Sequence, residues 1–164
     1  MKNNIKQKNI KIVTIDNVEQ ILKLYPEANK ERLAKIKFDV SNDIANVRKR
    51  ERIIFGLKKD NKVVGTAQLV FKDKKKFYAD GKIKVHIHHV RVMENLRGKG
   101  LGSQLMRHIE VEAIKKGFGE ITLGVEEDNE RAIIFYKKIG FQEFMKEKGD
   151  EGEIIIGMKK IITK

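Results

Sequence analysis

Few chain topologies accommodate the segment Arg97-Gly98-Lys99-Gly100-Leu101-Gly102-Ser103. Before it, residues 84–92 are rich in β-branched side chains and His. After it, residues 103–116 place Leu105, Met106, Ile109, Ala113 and Ile114 on one helical face, with Gly117 as the stop. Strand, tight turn and helix therefore follow one another with no room for another element. The first N–H groups of a helix lack intrahelical partners and stand at the positive end of its dipole, so this turn is shaped to receive an anion. Glycines let the backbone close on a ligand without side-chain clash, and Arg97 and Lys99 add mobile positive charge, an arrangement that fits a diphosphate. Spacing excludes two other phosphate loops. Neither Gly81-Lys82 nor Gly98-Lys99 is followed by a hydroxyl residue, as a P-loop requires, and Ser103 stands where the dinucleotide fingerprint needs a third glycine.

The rest of the chain interleaves strands and helices. Residues 10–15 alternate like a strand, 17–24 have helical spacing ahead of Pro26, and 29–40 predict a second helix that can continue past Ser41. Residues 52–58 and 62–71 are β-rich and joined through Asp60 and Asn61, which favour a tight reversal and so a hairpin. The Lys-rich stretch 72–82 reads as an exposed connection. Residues 121–125 alternate as a strand, 129–139 form a helix closed by Gly140 with Phe141 as its apolar contact, and 141–146 and 153–162 end the chain as strands. Without strict βαβ repetition, this order predicts an α/β (α+β) fold: a mixed, mainly antiparallel sheet with helices on both faces.

At 164 residues the chain has the size of one domain, 1–164, with a weakly ordered N-terminus over residues 1–9. That terminus is polar and Lys/Asn-rich, and no run of 18 apolar residues occurs, so the chain reads as cytoplasmic with no membrane partner. The absence of cysteine removes disulfides, thiolate metal sites and a cysteinyl intermediate. A net charge of +13 favours polyanions of any kind. Arg48, Lys49, Arg50 and Arg52, with Lys72, Lys74, Lys75 and Lys76, are the natural nucleic-acid contacts. The excess is mostly Lys spread along the chain, which reads as solvated faces, and no specific nucleic-acid partner is expected.

A second segment carries chemistry. Asn129, Ala132 and Tyr136 share one face of a helix, with Asn129 and Tyr136 about 10 Å apart. A cofactor arm fits along that face, where Asn129 offers an amide, Ala132 leaves room and Tyr136 presents a hydroxyl. The structural alternative is that Tyr136 is a core aromatic beside Phe135 and Ile139.

Taken in order, these segments resemble the GNAT superfamily of acetyl-CoA-dependent N-acetyltransferases. Arg97, Gly100 and Gly102 match its pyrophosphate-binding pattern, and Asn129, Ala132, Tyr136, Gly140 and Phe141 match its Asn-x-x-Ala-x-x-x-Tyr-x-x-x-Gly-Phe segment. The resemblance covers essentially the whole chain. It implies a sheet of about seven strands whose fourth and fifth are parallel and splay apart for the pantetheine, with Val90, Arg91 and Val92 contacting pantetheine and thioester. The cofactor set it implies further includes Gly98, Lys99, Leu101 and Ser103. Acetyl-CoA is the implied cosubstrate, and an amine-bearing small molecule or peptide the acceptor. Self-association as a homodimer stays open.

The implied reaction is direct attack of a neutral amine on the thioester, with strand N–H groups stabilising the oxyanion and Tyr136 as general acid toward the leaving thiolate. Candidates for the base are Glu94, just after the fourth strand, and His86, His88 and His89 within it; the residues alone do not choose among them. His86 and His88 point to one side of a strand, but no carboxylate or Cys lies at a partner spacing, so no metal site is expected. Glu143, Glu147, Asp150, Glu151 and Glu153 can attract a cationic amine, although a solvated acidic loop is the simpler reading. A binding module that holds acetyl-CoA without transferring its acetyl group remains the rival interpretation.

Overall fold

The computed structural model describes residues 9–162. The expectation of a weakly ordered terminus therefore lies, apart from Asn9, outside the described residues. The elements run β1 (Ile10–Thr14), α1 (Val18–Leu22), α2 (Lys30–Arg48), β2 (Arg52–Lys59), β3 (Lys62–Val70), β4 (Lys84–Val92), a 3-10 turn (Glu94–Leu96), α3 (Leu101–Lys115), β5 (Glu120–Glu126), α4 (Glu130–Lys138), β6 (Gln142–Lys148) and β7 (Ile154–Ile161). The strands form a seven-stranded sheet in the order β1-β2-β3-β4-β5-β7-β6. Pairs β1–β2, β5–β7 and β6–β7 are antiparallel and β4–β5 is parallel, giving the mixed, mainly antiparallel sheet expected.

Two compact units make up the chain: residues through Ala67 with Val90–Leu105, and Gln68–His89 with the residues from Met106 on. In the first unit, Asn17 and Asn29 start α1 and α2 by accepting hydrogen bonds from the N–H groups of Glu19 and Arg32, satisfying donors that have no helical partner. Helix α2 runs to Arg48, the continuation past Ser41 that the sequence left open. Ile36, Val40, Ile44 and Val47 recur every three to four residues and join Ile15, Ile21 and Ile54 in one apolar cluster. Each such side chain, fully buried, stabilises by roughly 1.5–3 kcal/mol. Asp43, on the same helix, is buried and pairs with Arg52 at the start of β2. Asp60 and Asn61 both adopt left-handed φ, at +49° and +64°, the two-residue turn whose twist matches the flanking strands.

In the second unit, Val85, Ile109, Ile121, Leu123 and Met158 are essentially inaccessible to solvent. The β4–β5 ladder pairs Lys84–Ile87 with Glu120–Leu123 and stops there, although β4 continues to Val92 and β5 to Glu126. Two residues past the last pair, His89 takes φ +50°, a left-handed value that bends the strand. Paired register between β4 and β5 ends at Ile87 and Leu123.

The stretch 72–82 is mostly exposed, as expected, with a buried exception at its centre. Tyr78 and Ala79 are buried, Lys72 bridges to Asp80, and the Asp80 carboxylate accepts from the N–H groups of Lys82, Ile83 and Lys84 at 2.8, 2.8 and 3.0 Å. One buried Tyr-Ala pair among lysines carries no periodicity, so the sequence pattern conceals it.

Candidate functional site

Beyond β4 the chain makes its 3-10 turn, with Arg97 N–H donating to the Glu94 carbonyl, and then enters the glycine turn. Gly98 and Gly100 hold φ of +75° and +78°, conformations that side-chain-bearing residues reach at a cost. A Cβ built on either would meet nothing within 4 Å, so the backbone here faces open space. Helix α3 starts at Leu101, two residues earlier than expected, placing Gly102 and Ser103 in its first turn. Gln104 N–H donates to the Gly100 carbonyl as the helix begins, and the N–H groups of Leu101, Gly102 and Ser103 precede that ladder. Two cations flank this cradle. Arg97 Nε donates to the Val92 carbonyl at 3.0 Å, folding its guanidinium back over the strand end, and Lys99 Nζ donates to the Asn95 carbonyl at 3.2 Å. Geometry and charge both suit a diphosphate.

Glu94 is exposed at the head of the 3-10 turn, while Val90 is half-buried and Val92 buried. The expectation for Arg91 concerns its backbone; its side chain reaches the connection between α1 and α2. Its Nε donates to the Leu24 carbonyl at 2.9 Å, its guanidinium carbon lies 4.1 Å from the Tyr25 ring centroid, and its terminal nitrogen pairs with Glu27.

In the second unit the imidazoles of β4 meet edge to face. His86 and His88 have ring centroids 4.5 Å apart, and His88 and His89 5.4 Å. His86 is buried, its Nδ1 lies 2.8 Å from Thr122 Oγ1, and Tyr78 packs on it at 4.3 Å. The Thr122 hydroxyl donates to the Tyr78 carbonyl at 2.7 Å, so it accepts from His86, which fixes the Nδ1–H tautomer and leaves Nε2 as the lone pair. Burial, helped by His88 and His89, holds His86 well below the ordinary imidazole value and hence neutral. Tyr78 and Thr122 were missed in sequence, for no local pattern marks either. Among the described residues no metal-binding group of three or more His, Asp or Glu occurs.

Helix α4 corrects one boundary. Asn129 precedes the helix as its cap, and its Oδ1 accepts from Ala132 N–H at 3.2 Å. Only its amide nitrogen is left to donate elsewhere. Ala132 is half-buried and Tyr136 buried, packed against Phe135 and Phe141 at 5.3 and 5.9 Å. Among the described residues the Tyr136 hydroxyl has no hydrogen-bond partner, and desolvation pushes its pKa up to about 12. The acidic residues near the last hairpin are mostly engaged locally: Glu143 with Lys137, Glu147 with Lys75 and Tyr78, Glu153 with Glu151 N–H. That supports the reading of a paired, solvated loop.

Known proteins resemble this chain along most of its length. The family described as Acetyltransferase (GNAT) family matches residues 15–141, more than half of the chain. Thialysine N-epsilon-acetyltransferase of Mus musculus is 29% identical over 65 residues, spanning 40% of this chain and 38% of that relative. Among solved structures, an N-acetyltransferase from Staphylococcus aureus Mu50 superposes with a TM-score of 0.73 at 19% identity, over 95% of this chain and all of that one. The PaiA N-acetyltransferase of Thermoplasma acidophilum, solved in complex with coenzyme A, gives 0.68 at 21% identity, over 93% and 99%. These two show a shared fold, and the family match carries the assignment: the chain belongs to the GNAT acetyltransferase family.

Proposed function

We propose that the protein, as one catalytic domain over 1–164, transfers the acetyl group of acetyl-CoA to a primary amine of a small molecule or peptide by direct attack. The observation that carries this reading is the cradle at 97–103: two left-handed glycines facing open space at the start of the fifteen-residue helix α3. In this reading, the N–H groups of Leu101, Gly102 and Ser103 hold the diphosphate, with Gly98, Lys99, Gly100 and Arg97 around it. Backbone groups of Val90, Arg91 and Val92 take the pantetheine and thioester, and the Asn129 amide, Ala132 and Tyr136 serve the same cosubstrate.

Proton movement follows from the environments. The attacking amine must be neutral and loses a proton as the C–N bond forms. His88, half-buried and edge-to-face with His86 and His89, is the preferred base over the exposed Glu94, because His86 is held on Thr122. As the C–S bond breaks, charge develops on sulfur, and the unpartnered Tyr136 hydroxyl is suited to meet it. With that phenol at about 12, complete transfer to the thiolate of an alkyl thiol, ordinarily about 8.5, runs uphill. Tyr136 is therefore read as donating a hydrogen bond to sulfur, while the proton shed by the amine neutralises the thiolate by way of the base and solvent. A cytoplasmic setting is part of this reading; among the described residues no helix is long and apolar enough to cross a membrane. The test is thiol release from acetyl-CoA across a chemically diverse amine panel. Calorimetric binding of acetyl-CoA with no release to any amine, and with no acetylated peptide, would leave a binding module instead.

A further inference from the structure

Every interaction described for the Arg91 side chain goes to one segment, residues 24–27 in the connection between α1 and α2. The Nε donates to the Leu24 carbonyl, the guanidinium plane covers the Tyr25 ring, and the terminal nitrogen meets the Glu27 carboxylate. An ion pair with an acid whose side chain is 52% exposed contributes little by itself. The carbonyl bond and the ring contact distinguish this arrangement, and both need a planar fork of donors that lysine lacks. The connection is anchored at both ends, by buried Leu24 and by the Asn29 cap of α2, and Arg91 holds it in the middle.

We propose that Arg91 is a positioning residue: it fastens residues 24–27 beside the strand segment Val90–Val92, so that Tyr25 and Glu27 shape the approach of the acceptor amine and select among amines. This rests on the reading that Val90–Val92 carries the thioester, since whatever Arg91 grips then lies within one side chain's reach of the reacting carbon. The Tyr25 hydroxyl makes no hydrogen bond among the described residues, and its ring, half-buried under the guanidinium, presents a fixed polar edge. The Glu27 carboxylate meets the Arg91 guanidinium at Oε1 and also its own backbone N–H, and with about four lone-pair sites it retains acceptor capacity for an incoming N–H donor.

The experiment compares wild type with Arg91→Lys, Arg91→Met and Glu27→Gln, each checked for folding by circular dichroism. Acetyl-CoA binding and thiol release by the wild type are measured first, and their absence would remove the parent reading alone. With the best amine of the panel, Arg91→Met is expected to raise the acceptor KM about fivefold or more while the acetyl-CoA KM moves much less, without rescue by Arg91→Lys. Amide exchange at Tyr25 and Ala28, whose N–H groups bond to Leu22 and Tyr25 carbonyls, should quicken by about tenfold in both Arg91 variants. Should neither Arg91 variant fold, Glu27→Gln on the exposed surface must by itself change the ranking of neutral, singly and doubly charged amines. Unchanged acceptor KM with unchanged exchange overturns the proposal. So does a loss confined to kcat or to the acetyl-CoA KM, which would make Arg91 a direct ligand of the cosubstrate.

Discussion

Tyr136 illustrates how a single side chain acquires its chemistry from burial. Desolvation keeps the phenol protonated, up to about 12, across the whole working range, so its contribution cannot titrate there. Tyr136→Phe removes one oxygen and keeps the packing on Phe135 and Phe141. A hydrogen bond to a developing charge is worth roughly 1.5–3 kcal/mol, so the expected result in single-turnover transfer at saturating amine is a loss on the order of ten- to a hundredfold. The pH–rate profiles of the two proteins should run parallel from about pH 6 to pH 10, because neither gains nor loses a Tyr136 proton in that interval. Equal single-turnover rates would return Tyr136 to the core. At the cradle, Gly102 is a better probe than Gly98 or Gly100, since those two hold left-handed φ where any side chain adds strain. In the first turn of α3 an aspartate is compatible with the helix dipole, so Gly102→Asp is expected to fold normally yet weaken acetyl-CoA binding at least about tenfold by placing a negative charge where the diphosphate approaches. Wild-type affinity by calorimetry would move the cofactor site elsewhere.

Elements are held by a few polar side chains that their own sequences do not advertise. Asp80 organises the entry to β4 by accepting three successive backbone N–H groups, led by that of Lys84, and these hold its carboxyl down at about 2 against an ordinary 3.8. The depressed value means the folded state favours the charged form. The resulting stability is fully present above pH 3.8 and is lost as the pH falls through about 2. Asp80→Ala is expected to cost about 1–2 kcal/mol in urea unfolding at neutral pH, as loss of a helix cap does, and the gap to wild type should close near pH 2. A gap independent of pH would mean that packing, and not the carboxylate, matters there. Where α2 meets β2, Asp43 and Arg52 pair with side chains only 13% exposed. Arg52→Met leaves a buried carboxylate without its cation, and a destabilisation of about 3 kcal/mol is expected by chemical denaturation. A loss below about 1 kcal/mol would show that Asp43 is solvated well enough without Arg52.

Across the whole molecule the charge of +13 is the dominant long-range property. It raises the local concentration of any polyanion, including a phosphorylated cosubstrate, without selecting among them. Several lysines stand beside an acid, as in Lys75 with Glu147, Lys146 with Glu127 and Lys160 with Glu110, which weakens the local positive field at those side chains and leaves the net charge unchanged. Binding to duplex DNA is therefore expected to be weak, indifferent to sequence, and reduced more than about tenfold between 50 and 200 mM salt. Sequence-selective binding that survives at the upper salt concentration, followed by fluorescence anisotropy, would show a nucleic-acid function that this reading omits.

What the amino-acid sequence determined by itself is what local physics controls. The hairpin turn at Asp60-Asn61, the glycine turn at 97–103 and the capped helix at 130–138 each depend on residues within a few positions of one another, so propensity, capping and spacing reveal them. The family pattern was legible for the same reason, because both of its segments are short and continuous. Tertiary structure alone decided the rest: that Arg91 grips Leu24, 67 positions away; that Tyr78 leaves a lysine-rich connection to bond Glu147, 69 positions on; and that His86 settles its tautomer on Thr122, 36 positions on. Contacts of that span leave no periodicity in the chain. They depend on which strands become neighbours, and that is settled by the burial of apolar surface throughout the folded protein and by no residue's own preference.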